Sequence, residues 1–258
     1  MKRTLIICMI ILSSTLSFAG WSYHAHLNYL SEAASILPYF DYEFCKSYKY
    51  DLEKGFVEGE IQFKYRYRGK APAWLEPISE DEIIYLQGYL IDENNVDEAV
   101  LFFTNRIKKL QLELVEMKRP YADIMFELTY YLHSINNILM PLYEEGHFPE
   151  QALASNTSAL ELNIENAIEI EDLNTYMKQM IDKKLQIREE WSAFAINNDR
   201  EGFIKYADEA NKYNIYTLSS LLQWFNADCY GPEYKPVRDH LEKMKDGHSP
   251  KTNGRKKW

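Results

Sequence analysis

Glycine and proline are scarce in this 258-residue chain, at 10 and 9 residues. No segment repeats, which excludes a solenoid or array. Beyond the N-terminus no stretch is apolar for long enough to cross a membrane as a helix. Cysteine is nearly absent as well, with three in all. Basic residues are outnumbered, 29 Lys+Arg against 39 Asp+Glu. A surface that acidic disfavours loose attraction to phosphate backbones. It leaves room for a catalytic nuclease, because bound metal ions supply positive charge locally. What is present is a hydrophobic content of 46%, enough for a real core. These features point to an all-α, single compact multi-helix domain.

The first twenty residues stand apart. Lys2 and Arg3 make a basic start, Leu5 to Leu12 is apolar, and Ser17-Phe18-Ala19 is a small-x-small cleavage signal. This pattern is that of a secretory signal peptide over 1–20. The expected location is periplasmic or secreted. Removing Lys2 and Arg3 from the 29 Lys+Arg leaves 27 against 39 Asp+Glu, a formal charge of −12. Small residues favour cleavage after Ala19, whereas cleavage after Gly20 places Phe18 where a small side chain is preferred. Cys8 leaves with the leader. Cys45 and Cys229 then allow one pairing, permitted by export. Two buried free thiols are the alternative.

Helical spacing organises most of the remainder. His26, Tyr29, Leu30 and Ala33 share one face, and Pro38 ends that run. Residues 39 to 96 read as irregular, except that Phe63 to Lys70 alternates aromatic and basic residues with the period of a strand. Within it Arg66 and Arg68 are candidate phosphate-binding residues; an edge strand guarded by basic residues is the plainer reading. Asp97 to Lys118 reads as a helix, and Pro120 breaks it. Tyr121 to Leu139 is the next. A further helix is expected from Ser155 towards Ile170. Asp172 is placed to cap a helix carrying Leu173, Tyr176, Met180, Leu185 and Trp191. Asn198 or Asp199 is placed to cap the last long helix, ending near Phe225. The domain is expected over 21–240, with 241–258 a basic, disordered tail. Asn156 opens an N-x-S/T acceptor, which matters only in a eukaryotic secretory route.

One helix holds the first candidate site. Phe126, Tyr130, His133 and Asn137 recur at i+4, i+3 and i+4 and share a face. A buried imidazole and a buried amide each need hydrogen-bond partners. One reading is a structural polar pair; the other is a His one turn from an oxygen donor, a metal-ligand spacing. The second candidate is Trp21 with His24 and His26. No histidine lies between His26 and His133.

The two segments together carry more than either alone. Trp21-x4-His26, followed by His133-x3-Asn137-x3-Pro141-x-Tyr143, resembles the zinc-dependent phospholipase C and single-strand nuclease superfamily. The resemblance implies a secreted helical phosphodiesterase acting on phospholipid or nucleic-acid phosphodiesters, with three zinc ions. It implies zinc ligation by Trp21, His26, His133 and Glu161, with His24, Asn137 and Tyr143 as weaker candidates. Asn137 stands where that family has a bridging Asp, Tyr143 where it has a His, and Thr157 where it has another. Asp51, Glu58 and Glu60 occupy the interval where an Asp and a His are expected. Asn137 keeps an oxygen but lacks the charge to bridge two cations. Tyr143 would have to ionise from a pKa near 10. Glu161 and Glu60 are the candidate general bases. The expectation is a degraded three-zinc site, with a weak or lost activity and a ligand or partner held in the old cleft. An active phosphodiesterase with a reduced metal site and an unrelated helical exported binding protein are the alternatives.

Overall fold

The computed structural model describes residues 23–65, 79, 82–140, 160–162 and 166–227. Eight α-helices and no strand occur among them. They are α1 (Tyr23–Ser35), α2 (Tyr39–Ser47), α3 (Lys49–Tyr65), α4 (Ile83–Leu86), α5 (Val96–Val115), α6 (Tyr121–Asn137), α7 (Leu173–Ile196) and α8 (Arg200–Asn226). The expected all-α class is what the chain adopts.

Local chemistry sets the boundaries. The Asp172 carboxylate accepts from the Thr175 amide at 2.8 Å and starts α7. Asp199 does the same for Gly202 at 2.9 Å and starts α8. Each satisfies one of the orphan donors of a first helical turn. The two prolines expected to end helices also begin them: Pro38 and Pro120 are the N-cap residues of α2 and α6. α7 closes with Asn198 in the left-handed region (φ 56°). There the Asp199 amide donates to the Phe194 carbonyl at 2.8 Å and the Asn198 amide to that of Ala195 at 3.1 Å. This is a Schellman closure. Asp199 therefore terminates α7 and caps α8 at once. α5 closes the same way through Met117 (φ 51°), a conformation that suits Asn better than Met.

The long helices pack in a cycle: α1 on α3, α3 on α6, α6 on α5, α5 on α7, α7 on α8, and α8 back on α1. The closest seam is α3 against α6. A Cβ on Gly55 would stand 2.2 Å from the Phe126 carbonyl oxygen, and one on Gly59 would stand 2.7 Å from His133 Cγ. Those two glycines, one turn apart, let the backbones approach. The apolar core is continuous through the cycle, with Trp191, Tyr29, Tyr130, Tyr131, Phe56 and Phe103 its largest fully buried side chains.

Three expectations need correction. Residues 39 to 96 are not irregular: α2, α3 and α4 lie there. Tyr42, Cys45, Leu52 and Phe56 are buried at helical spacing, and packing that face on α6 and α1 outweighs the modest propensity of aromatic residues. Phe63 to Tyr65 belong to the last turn of α3 rather than to a strand; 66–70 lie outside the described residues. The helix expected from Ser155 to Ile170 is not α-helical at 160–162 or 166–170. There the Ile168 amide donates to Ser220 Oγ at 2.9 Å and Asn166 Nδ2 to Tyr216 Oη at 3.3 Å, so the segment is anchored to α8 by side chains. The expected leader (1–20) and tail (241–258) lie outside the described residues.

Candidate functional site

α1 and α6 bring the two sequence-distant histidines into contact. The His26 and His133 ring centroids are 4.3 Å apart, tilted by 47°. His26 is 0% exposed and His133 1%. Phe56 of α3 stacks on His26 at 5.6 Å, and Tyr29 meets it edge-on at 6.3 Å. Gly59 supplies the space in which the His133 ring lies. His133 needs that space because α3 and α6 are pressed together there.

Asn137 completes the cluster one turn along α6. Its Nδ2 lies 3.4 Å from His133 Nδ1 and 3.3 Å from His133 Nε2. The amide donates, so the accepting ring nitrogen carries no proton. Asn137 Oδ1 is buried without a hydrogen-bond partner among the described residues. A buried orphan oxygen is costly and calls for an explanation.

The other candidates divide cleanly. His24 is exposed, on the outer side of α1. Glu161 is exposed in a stretch without regular structure. Glu60 lies in α3, Glu58 is half-buried there. Trp21, Tyr143, Thr157, Arg66, Arg68 and Cys229 lie outside the described residues. Cys45 is a buried free thiol. It accepts a hydrogen bond from Asn226 Nδ2 at 3.3 Å, and burial pushes it up to about 12. That thiol is protonated and unreactive at neutral pH.

No third His, Cys, Asp or Glu joins the two histidines among the described residues. Two imidazoles and one neutral amide oxygen supply no anionic ligand, and bridging between cations needs one. The described residues therefore do not fit three zinc ions. They amount at most to a partial, neutral donor set for one.

A surface cleft opens beside this cluster, between α3 and the first turns of α6. Its volume is about 490 Å³, and Asp51, Lys54, Glu58, Arg119, Phe126 and Glu127 are among the residues that line it. That volume falls in the range of small-molecule sites. Phe126 precedes His133 by seven residues on α6, so the cleft lies about 10 Å from the imidazole along the helix. Arg119 Nη2 donates to Glu127 Oε2 at 2.8 Å, and Arg119 Nε pairs with Glu113 at 2.8 Å. Tyr131 Oη donates to the other Glu127 oxygen at 3.3 Å. Burial raises the Tyr131 phenol, and neighbouring Glu127 adds to this. The Lys54 ammonium lies 5.2 Å from the centre of the Phe126 ring. Sequence spacing gave no hint of this cleft, because its residues come from two helices and the α5–α6 connection.

No protein-family model and no solved structure matches the chain. Among curated proteins it is similar to one named "Putative botulinum-like toxin Wo" of Weissella oryzae, 24% identical over 146 residues. The match covers 52% of this chain and 11% of that protein.

Proposed function

We propose that this chain is an exported helical protein related to the zinc-dependent phospholipases C and nucleases, with a degraded metal site and little or no phosphodiesterase activity. In this reading it holds a ligand or partner in the cleft between α3 and α6. The observation that carries it is the contact of His26 with His133. Two motif segments more than a hundred residues apart meet at one buried point, beside Asn137 where the family has an acid. An accidental motif match gives no reason for the two histidines to meet. The neutral oxygen of Asn137 gives a reason for the chemistry to be lost: it cannot offset the repulsion between two dications.

The orphaned Oδ1 of Asn137 favours one variation. In it His26 and His133 hold a single metal ion weakly, with a reduced activity in which Glu161 or Glu60 serves as an added ligand or base. The likeness to a toxin by name adds a third, narrower possibility: a helical segment of a kind also found within a much larger toxin-like protein.

The test is direct. The exported chain, purified without chelators, is analysed for metal and assayed on a short-chain phospholipid and on single-stranded DNA. The degraded-site reading expects less than one zinc per chain and no turnover above background. One ion whose removal abolishes a slow turnover supports the reduced-site variation. Two or three ions with rapid hydrolysis overturn the proposal.

A further inference from the structure

Lys184 is the strangest residue in the core. It lies on α7 with no exposed surface. Its Nζ donates to Asn214 Oδ1 across the α7–α8 seam and stands 6.0 Å from the centre of the Tyr213 ring. One turn before Asn214, Asn211 accepts from Tyr29 Oη of α1 at 2.5 Å. A polar seam therefore runs through α7, α8 and α1 in otherwise apolar packing.

An ammonium carries three N–H donors. Among the described residues the acceptors are one amide oxygen and the face of one ring. Burial alone pushes the amine down to about 7; no carboxylate contributes, the buried Glu32 of α1 included. The titratable neighbours are Tyr213 of α8, Tyr29 of α1, and Tyr176 and Arg188 on α7 itself. The buried face of α5, which also packs on α7, carries no titratable side chain.

The same seam holds a small pocket of about 100 Å³, lined by Tyr176, Met180, Tyr213, Tyr216, Thr217 and Ser220. Met180 precedes Lys184 by one turn, and Tyr213 is the ring beside its amine. Tyr213 thus belongs both to the lining of this pocket and to the surroundings of Nζ.

We propose that Lys184 is a proton-operated latch on the α7–α8 seam: the neutral amine keeps the seam closed and dry, and a proton on it favours a form opened to water at the Tyr176–Tyr213 pocket. In the opened form the amine regains its ordinary value of 10.5. Between 10.5 and about 7 the opened form binds a proton that the closed form does not. Closing is thus favoured at high pH, weakens about tenfold per pH unit on descent through that window, and levels off below it. An exported protein with this seam is stiff in alkaline surroundings and loosest at neutral and acidic pH.

Hydrogen exchange of the α7 and α8 amides in the full chain tests this, after correction for the intrinsic pH dependence of exchange. The opening equilibrium of amides around Tyr176 to Lys184 is expected to rise by about tenfold per unit as pH falls from 9.5 to 7.5. Lys184→Met is expected to abolish that slope. Should Lys184→Met fail to fold, Asn214→Asp decides: its carboxylate holds the proton on Lys184 in the closed form and flattens the slope. A wild-type slope retained in either variant overturns the latch, as does a flat profile in the wild-type chain.

Discussion

Two of the polar places in the core are both touched by α1. His26 faces the imidazole of His133, while Tyr29, three residues on, reaches Asn211 in the Lys184 seam. At the first place two imidazole rings are packed among aromatics, with an amide one turn away. At the second an amine is buried with one amide oxygen among the described residues. Arg188, one turn beyond Lys184, shows how a buried cation is satisfied. Its Nη1 donates to the Tyr89 carbonyl at 2.9 Å and the Ile138 carbonyl at 3.4 Å, and Nη2 donates to Ile91 at 2.8 Å. Burial disfavours the charge on both, and the two differ in how many acceptors offset it. Arg188 ties the end of α6 and the α4–α5 connection to α7, whereas Lys184 is an electrostatic liability held in place by packing.

The largest expected effect separates the two basic residues. Arg188→Met strands three carbonyls and is expected to lower stability by about 3 kcal/mol or more. Lys184→Met is expected to raise stability at pH 7 by about 2 kcal/mol, because it replaces a poorly solvated amine with an apolar chain. Urea unfolding at fixed pH reads both; the same sign for the two variants would remove the distinction. Gly59→Ala is next, at about 2 kcal/mol of destabilisation, since its Cβ must displace the His133 ring. The same melt after His133→Ala should show most of that cost relieved. A cost unchanged by the second substitution would mean that Gly59 does not serve the imidazole. Asn137→Asp restores a charge beside the two histidines and is expected to tighten zinc binding at least about tenfold, roughly 1.4 kcal/mol. Calorimetric titration with zinc would show it, and an unchanged affinity would separate the pair from metal binding. The smallest effects lie at the helix ends. Asp172→Ala and Asp199→Ala should each cost about 1 kcal/mol. Met117→Gly should add a few tenths to about 1 kcal/mol, because it relieves the left-handed backbone at the end of α5.

Much of this architecture is legible in the chain. Asp172 and Asp199 announce the starts of α7 and α8, because a short carboxylate before an apolar 3.6-residue stripe has little else to do. His133 and Asn137 are legible as an inward pair from their spacing to Tyr130, whereas Phe126 on the same stripe is half-buried and lines the surface cleft. The stretch from 39 to 65 misleads, because tyrosines and glycines weaken its helical signal while tertiary packing against α6 supplies what propensity lacks. Gly55 and Gly59 look like breaks and are instead the points of closest helix approach. Lys184 is invisible in sequence, since lysine on a helix is almost always a surface residue. The α3–α6 cleft is equally hidden, because no local pattern joins Asp51 and Lys54 to Arg119 and Glu127.

Elemental analysis of the chain, purified without chelator and dialysed against metal-free buffer, measures directly how much metal the His26–His133 cluster holds. A degraded site predicts less than one zinc per chain, unchanged by His133→Ala within error. Two or three zinc ions per chain, lost on His133→Ala, would contradict the account and restore a working metal centre.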